Sequence, residues 1–176
     1  MKQTKKIFLL LIFFISLPLG SARSSPTDKH YHVVHVVDGD TFDTTDGLVT
    51  FRVRVAGMDA PESKQAFGKL ATVELKKLIE GKEIVIQPIG RGFDRYNRVL
   101  GQVFFEGKDI SLLMIQRGFA FYYRPRCRDY PEDKQLYDYD PRPYVDAEKV
   151  ARATNLVIWS NKSVTLPCQF RKEHPY

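Results

Sequence analysis

Three strand-like runs, Tyr31 to Val37, Thr41 to Thr44 and Leu48 to Ala56, are separated by two Asp-Gly steps, Asp38-Gly39 and Asp46-Gly47. Neighbouring side chains point to opposite faces of a strand, and Asp-Gly beside β-branched runs is a hairpin signal, because glycine accepts the positive φ of a tight turn. The stretch therefore predicts three consecutive hairpin-linked strands. In the third, Phe51, Val53 and Val55 share one face and Arg52 and Arg54 the other, so one side packs while the other presents charge. The same period sends His32 and His35 to opposite faces, which argues against a shared zinc site.

From Ala66 to Glu80 the period lengthens. Phe67, Leu70, Ala71, Leu75, Leu78 and Ile79 recur at helical spacing and Gly81 supplies a stop. Ile84 to Gln87 and Val99 to Phe105 predict two further strands, joined by the loop Gly90 to Arg98. A second helix is expected near Ile110 to Gln116 and a third from about Val145 to before Asn155, followed by the docking segment Leu156 to Trp159. Five short strands interrupted by one helix and followed by two more predict an α+β, β-rich fold, a five-stranded OB-type β-barrel with three α-helices. With 43% hydrophobic residues in 176, the chain has enough apolar surface for one such core.

The ends divide off. Lys2, Lys5 and Lys6 precede an apolar run from Ile7 to Leu19 and the small residues Gly20-Ser21-Ala22, the pattern of a signal peptide spanning 1–22. The run is shorter than the roughly 20 residues that cross a bilayer, so cleavage is expected rather than stable membrane insertion. Residues 23–30 read as a flexible leader, 31–160 as the folded domain and 161–176 as a C-terminal tail. Losing residues 1–22 removes three lysines and no acid, so net charge falls from +6 to +3; so modest a basic excess permits nucleic-acid binding without requiring it. The two cysteines, Cys127 and Cys168, both lie in the part retained, and an oxidising compartment favours a bridge between them.

Two acidic motifs flank the Arg54 strand. Asp38-Gly39-Asp40-Thr41 places Asp40 at a strand end, and in Asp59-Ala60-Pro61-Glu62 the proline holds its predecessor extended, so that Asp59 and Glu62 bracket a rigid bend. Either motif alone is ordinary turn chemistry. Together they can converge on one cation, and hard oxygen donors without cysteine or histidine favour Ca²⁺ or Mg²⁺.

These motifs, with Arg54 five residues before Asp59 and the later Asp94-Arg95-Tyr96-Asn97-Arg98, resemble the staphylococcal (micrococcal) nuclease family from about Val33 to Ser160. The resemblance implies Asp40, Asp59 and the carbonyl of Ala60 as ligands of Ca²⁺, and Glu62 as the residue that orients or deprotonates an attacking water. It implies Arg54 and Arg98 as the phosphate-binding arginines, Arg98 nearer the leaving 5′ oxygen, and Tyr96 with Tyr122 or Tyr123 as nucleotide contacts. The implied protein is an exported, monomeric, Ca²⁺-dependent nuclease, secreted or periplasmic, that cuts DNA and RNA, single strands preferentially, and leaves 3′-phosphates. Phe121-Tyr122-Tyr123 equally suits a core, and the basic stretch Arg124 to Arg128 reads as a solvated loop. A catalytically inactive nucleic-acid-binding module on the same barrel is the alternative, although a binder has no need of Asp40, Asp59, Glu62, Arg54 and Arg98 all together. A secreted inhibitor or structural domain leaves the arginines unexplained.

Overall fold

The computed structural model describes residues 29–127 and 139–175; the expected signal peptide, most of the leader and Arg128 lie outside them. The elements are strands β1 His30–Val36, β2 Thr41–Thr45, β3 Thr50–Val55 and β4 Met58–Asp59, helix α1 Gly68–Ile79, strands β5 Glu83–Phe93, β6 Val99–Phe105 and β7 Lys108–Asp109, helix α2 Ile110–Gln116, strand β8 Phe121–Tyr122, and helices α3 Arg142–Ala153 and α4 Pro167–Glu173. β1, β2 and β3 run antiparallel in order, β1 also pairs with β5, and β5 with β6. Parallel pairing of β3 with β6, through Val53↔Val99, Arg54↔Leu100 and Val55↔Gly101, closes the five long strands into a mixed barrel. This is the expected barrel with a helical layer, and closure removes the exposed edges that an open sheet would leave.

Alternation in β3 comes out as expected: Val53 and Val55 are buried, Phe51 packs edge-on against Tyr31, and Arg52 and Arg54 face the other way. β1 departs from strict alternation. A register shift between Val33 and His35 lets both Val33 and Val36 point inward, so His32 and His35 are both exposed rather than on opposite faces. They pair separately, His32 with Glu83 and His35 with Glu80. Helix α1 lays Ala71, Leu75 and Ile79 on the barrel, while Leu70 stays half exposed. Helix α2 buries Ile110, Met114 and Ile115 in the same core. β5 is longer than expected, because the segment to Phe93 still pairs with β6 beyond an irregularity after Pro88.

A second, smaller core joins Phe121, Ala151, Ile158 and Trp159 with Phe67, Val164 and Leu166. It receives the C-terminal segment, which is not a plain tail but carries the additional helix α4. Cys127 and Cys168 are joined, their Cα atoms 5.7 Å apart, which ties α4 to the 3₁₀ turn Pro125–Cys127. A loop of this size is worth about 4 kcal/mol in the chain-entropy account.

Candidate active site

Asp40 sits where the first hairpin turn enters β2. Asp38 Oδ1 accepts the Asp40 N–H at 3.0 Å, and the Asp40 carbonyl accepts the Val55 N–H at 2.9 Å, which fixes the turn against β3. Gly39 is needed here for space rather than for a positive φ. A Cβ on it would lie 2.6 Å from the Ala60 Cβ and 2.9 Å from that of Ala71. Its absence lets the turn, the Asp59-Ala60 segment and α1 meet.

That close approach brings the two acidic motifs together. Asp40 Oδ2 accepts the Ala60 N–H at 3.0 Å, and Oδ1 accepts the Thr41 hydroxyl at 3.0 Å. Arg54 Nη2 lies 2.9 Å from Asp40 Oδ2 and donates to Asp59 Oδ1 at 3.0 Å. Nη1 of the same guanidinium donates to the carbonyls of Val55, at 2.7 Å, and Met58, at 3.0 Å. Arg54 thus bridges the two aspartates while locked to the backbone. Burial pushes the Asp40 carboxyl up to about 6, because its desolvation outweighs the pull of Arg54 and Asp38 adds repulsion. Burial alone would lower the pKa of Arg54, but Asp40 and Asp59 hold it above its ordinary value.

Glu62 follows Pro61 at the rim. Its N–H is accepted by Gln65 Oε1 at 3.1 Å, and its carbonyl accepts the Gln65 N–H at 2.8 Å. A Cβ on Gly68 would lie 1.9 Å from the Glu62 carbonyl oxygen, so the start of α1 packs directly under this residue. Glycine at 68 is therefore part of what holds Glu62 in place.

Arg98 comes from the β5–β6 connection. Asp94 fastens it, accepting Nε at 2.7 Å and the backbone N–H at 3.0 Å, while Nη1 approaches the Thr41 hydroxyl at 3.4 Å. Through Thr41, Arg98 is linked to Asp40. Burial alone would raise the Asp94 carboxyl, yet these donors and the Tyr96 N–H hold it below the usual range. The Tyr96 ring is 65% exposed beside the guanidiniums of Arg95 and Arg98.

The structure therefore brings Asp40, Asp59, Ala60, Arg54 and Glu62 to one end of the barrel, with Arg98 reached through Thr41. What it shows of Ala60 is its N–H on Asp40. The tyrosines divide: Tyr123 is 41% exposed, whereas Tyr122 is 5% exposed, with the Arg124 guanidinium 3.7 Å from its ring centroid. A ring so covered has no face left for a base, so Tyr122 belongs to the core. Arg124 is not solvated as expected. It is buried and paired with Glu148 of α3, whose Oε2 also accepts the Tyr122 N–H at 2.8 Å.

Sequence reasoning missed one residue of the cluster. Arg171, on α4, donates from Nη1 to Asp59 Oδ1 at 3.1 Å and to Glu62 Oε1 at 2.6 Å, and from Nη2 to Asp59 Oδ2 at 3.0 Å. Burial would lower its pKa, but Asp59 and Glu62 raise it well above the ordinary value. The signal available was indirect: a bridge at Cys168 puts the residue three positions on, one helical turn away, near the same place. With guanidiniums between the acids, no group of three His, Cys, Asp or Glu side chains forms a ready metal cluster among the described residues.

The family described as staphylococcal nuclease homologue matches residues 52–161. A micrococcal nuclease of Shigella flexneri is 37% identical over 169 residues, covering 92% of this chain and 88% of the relative. An uncharacterized endonuclease of Haemophilus influenzae is 31% identical over 170 residues, covering 96% and 86%. An uncharacterized endonuclease of Escherichia coli is 39% identical over 100 residues, 57% of this chain, and the match spans 61% of that relative's length.

Proposed function

This chain belongs to the staphylococcal nuclease family, and from that premise we propose that it is an exported, Ca²⁺-dependent nuclease. It hydrolyses phosphodiester bonds of DNA and RNA at the 5′-oxygen side and leaves 3′-phosphates. The observation that carries this reading is the convergence of two buried carboxylates, Asp40 and Asp59, on Arg54, with Glu62 beside them at the rim.

In the hydrolysis a water oxygen forms a bond to phosphorus and the bond from phosphorus to the 5′ oxygen breaks. Glu62, half-buried and held by Gln65 and the start of α1, orients that water and takes its proton. Arg98, and Arg54 through the Nε–H that its bonds to Asp40, Asp59 and two carbonyls leave over, donate to the phosphoryl oxygens as negative charge gathers there, and each is pre-set by an aspartate that fixes its orientation. The 5′ oxygen departs beside Arg98 and gains a proton from solvent. Tyr96 offers an exposed ring for a neighbouring base, a contact indifferent to base identity, which suits both nucleic acids and favours single strands.

The donor set fits a hard divalent cation: the side chains are carboxylates without sulfur or imidazole, and burial leaves Asp40 short of positive charge even with Arg54 at 2.9 Å. Asp40, Asp59 and the Ala60 carbonyl are the groups that would hold calcium, which when bound supplies positive charge at the phosphoryl oxygens. Export is supported by the lysine-flanked apolar run Ile7 to Leu19 and by the bridged cysteines.

The test is digestion of single-stranded DNA by wild type and Asp40→Asn with calcium, with magnesium and with chelator. Calcium-dependent cleavage by wild type, leaving 3′-phosphates and lost in Asp40→Asn, is expected. Cleavage that survives chelation removes the metal from the reaction. A folded protein that binds the strand and never cuts it leaves only the binding module.

A further inference from the structure

We propose that Arg171 is a tethered counter-cation that occupies the carboxylate site in place of the metal, and that the Cys127–Cys168 disulfide keeps it there. The proposal rests on the reading that Asp40 and Asp59 take a hard divalent cation.

Three observations point the same way. The first is geometric. The Arg171 fork grips both oxygens of Asp59, which is 3% exposed, and Nη1 also holds Oε1 of Glu62, while Arg54 takes Asp59 Oδ1 from the other side. The approach by which a cation could reach Asp59 and Glu62 together is filled by a guanidinium. The second is charge. Asp40 and Asp59 are both buried and share Arg54, which leaves one negative charge in excess between them; docking Arg171 neutralises it as a bound cation would. Bidentate charge-assisted bonds make the guanidinium an effective substitute.

The third is the way Arg171 is delivered. It lies 112 residues beyond Asp59 and outside the barrel strands, on a helix of seven residues that buries only Pro167 of its own side chains. So short a helix is not stable by itself. It is held by the bridge at Cys168, one turn before Arg171, by the Gln65 side chain donating to the Thr165 carbonyl at 2.6 Å, and by Val164 and Leu166 in the second core. With so little of α4 buried, the chief cost of its leaving is the loss of the Arg171 bonds, and a cation on Asp59 offsets that loss. The tether keeps it close enough to return. Metal and Arg171 then compete for the Asp59 oxygens, and each weakens the other by the same factor.

The experiment is calorimetric titration of Ca²⁺ into the disulfide-intact protein, its Arg171→Gln variant and the wild type after reduction of the bridge. It is paired with hydrogen exchange of residues 167–173 in wild type with and without Ca²⁺. Arg171→Gln should bind Ca²⁺ about ten- to a hundredfold more tightly, within the usual span of coupling between sites. Reduction should move wild type in the same direction, and Ca²⁺ should speed exchange in α4. Equal Ca²⁺ affinity in wild type and Arg171→Gln overturns the counter-cation while leaving the metal site standing. No Ca²⁺ binding by any form overturns both readings. Weaker binding by Arg171→Gln makes the residue a partner of the ion and overturns the proposal. Unchanged affinity after reduction overturns the tether. If Arg171→Gln does not fold, exchange in wild type decides: α4 slowed or unaffected by bound Ca²⁺ refutes the competition.

Discussion

Asp40→Asn should stabilise the metal-free protein above neutrality and do little in acid. Burial raises the Asp40 carboxyl from 3.8 to about 6 in the fold, against Arg54, the Ala60 N–H and the Thr41 hydroxyl, which favour its charge, and with Asp38, which opposes it. A carboxyl whose folded pKa lies above its unfolded value stabilises the fold only while protonated. That contribution is whole below about pH 3.8, shrinks as pH rises through the window to 6, and is gone above it. Between those two values the free energy at stake is about 3 kcal/mol. Asparagine matches the neutral acid in shape and keeps an acceptor for Ala60, and Arg54 still has Asp59 and two carbonyls. The variant therefore stays at the protonated level, more stable than wild type by up to about 3 kcal/mol at pH 7.5 and nearly equal to it at pH 4. Urea unfolding in chelator at both pH values measures the gap. A variant less stable than wild type at pH 7.5, or a gap independent of pH, would show that the Arg54 pair outweighs desolvation and refute the reasoning.

Arg54→Lys keeps the charge but cannot bridge Asp40 and Asp59 while holding the Val55 and Met58 carbonyls, so turnover should fall by about 10²-fold or more; single-turnover cleavage of a defined oligonucleotide checks it. Glu148→Ala removes the buried carboxylate that both amino groups of Arg124 and the Tyr122 N–H hold, and should cost roughly 3–5 kcal/mol in denaturant unfolding. Gly68→Ala forces α1 away from Glu62; a loss of about 1–3 kcal/mol together with reduced cleavage is expected. Tyr96→Ala should weaken single-stranded DNA by about 1–3 kcal/mol in equilibrium binding, whereas Tyr122→Phe, buried under Arg124, should leave binding unchanged.

Much of this arrangement was legible because it is local. Period two in β3 and helical period in α1 report burial directly, and the closed barrel follows from the order of the elements. Three of the failures share a cause: each depends on a partner far along the chain. Gly39 looks like a turn glycine until Ala60 and Ala71 are seen against it. Arg124 looks solvated because Glu148, 24 residues on, reads as part of a polar helix face. Tyr122 and Tyr123 must face opposite ways, but which faces in is set by the pairing Met58↔Tyr122. The helix α4 escaped because it is short, polar and nearly without buried side chains.

The two buried ionic clusters differ in a way that separates scaffold from site. Around Glu148, Arg124 takes one carboxylate oxygen with each of its amino groups, the Tyr122 N–H shares one of them, and Arg152 from the same helix donates to the other. One acid is met by two cations and a backbone donor, with Arg152 half in solvent, so every oxygen of the carboxylate is taken by the fold itself. Around Asp59 the pairing is different: Asp40 and Asp59 share Arg54, and the further guanidinium on Asp59 comes from Arg171, 112 residues on. A fold selected for stability alone would replace such acids with apolar residues, because buried charges seldom repay their desolvation. Their presence beside an arginine delivered from outside the barrel is what a site needs if its positive charge is to come from outside.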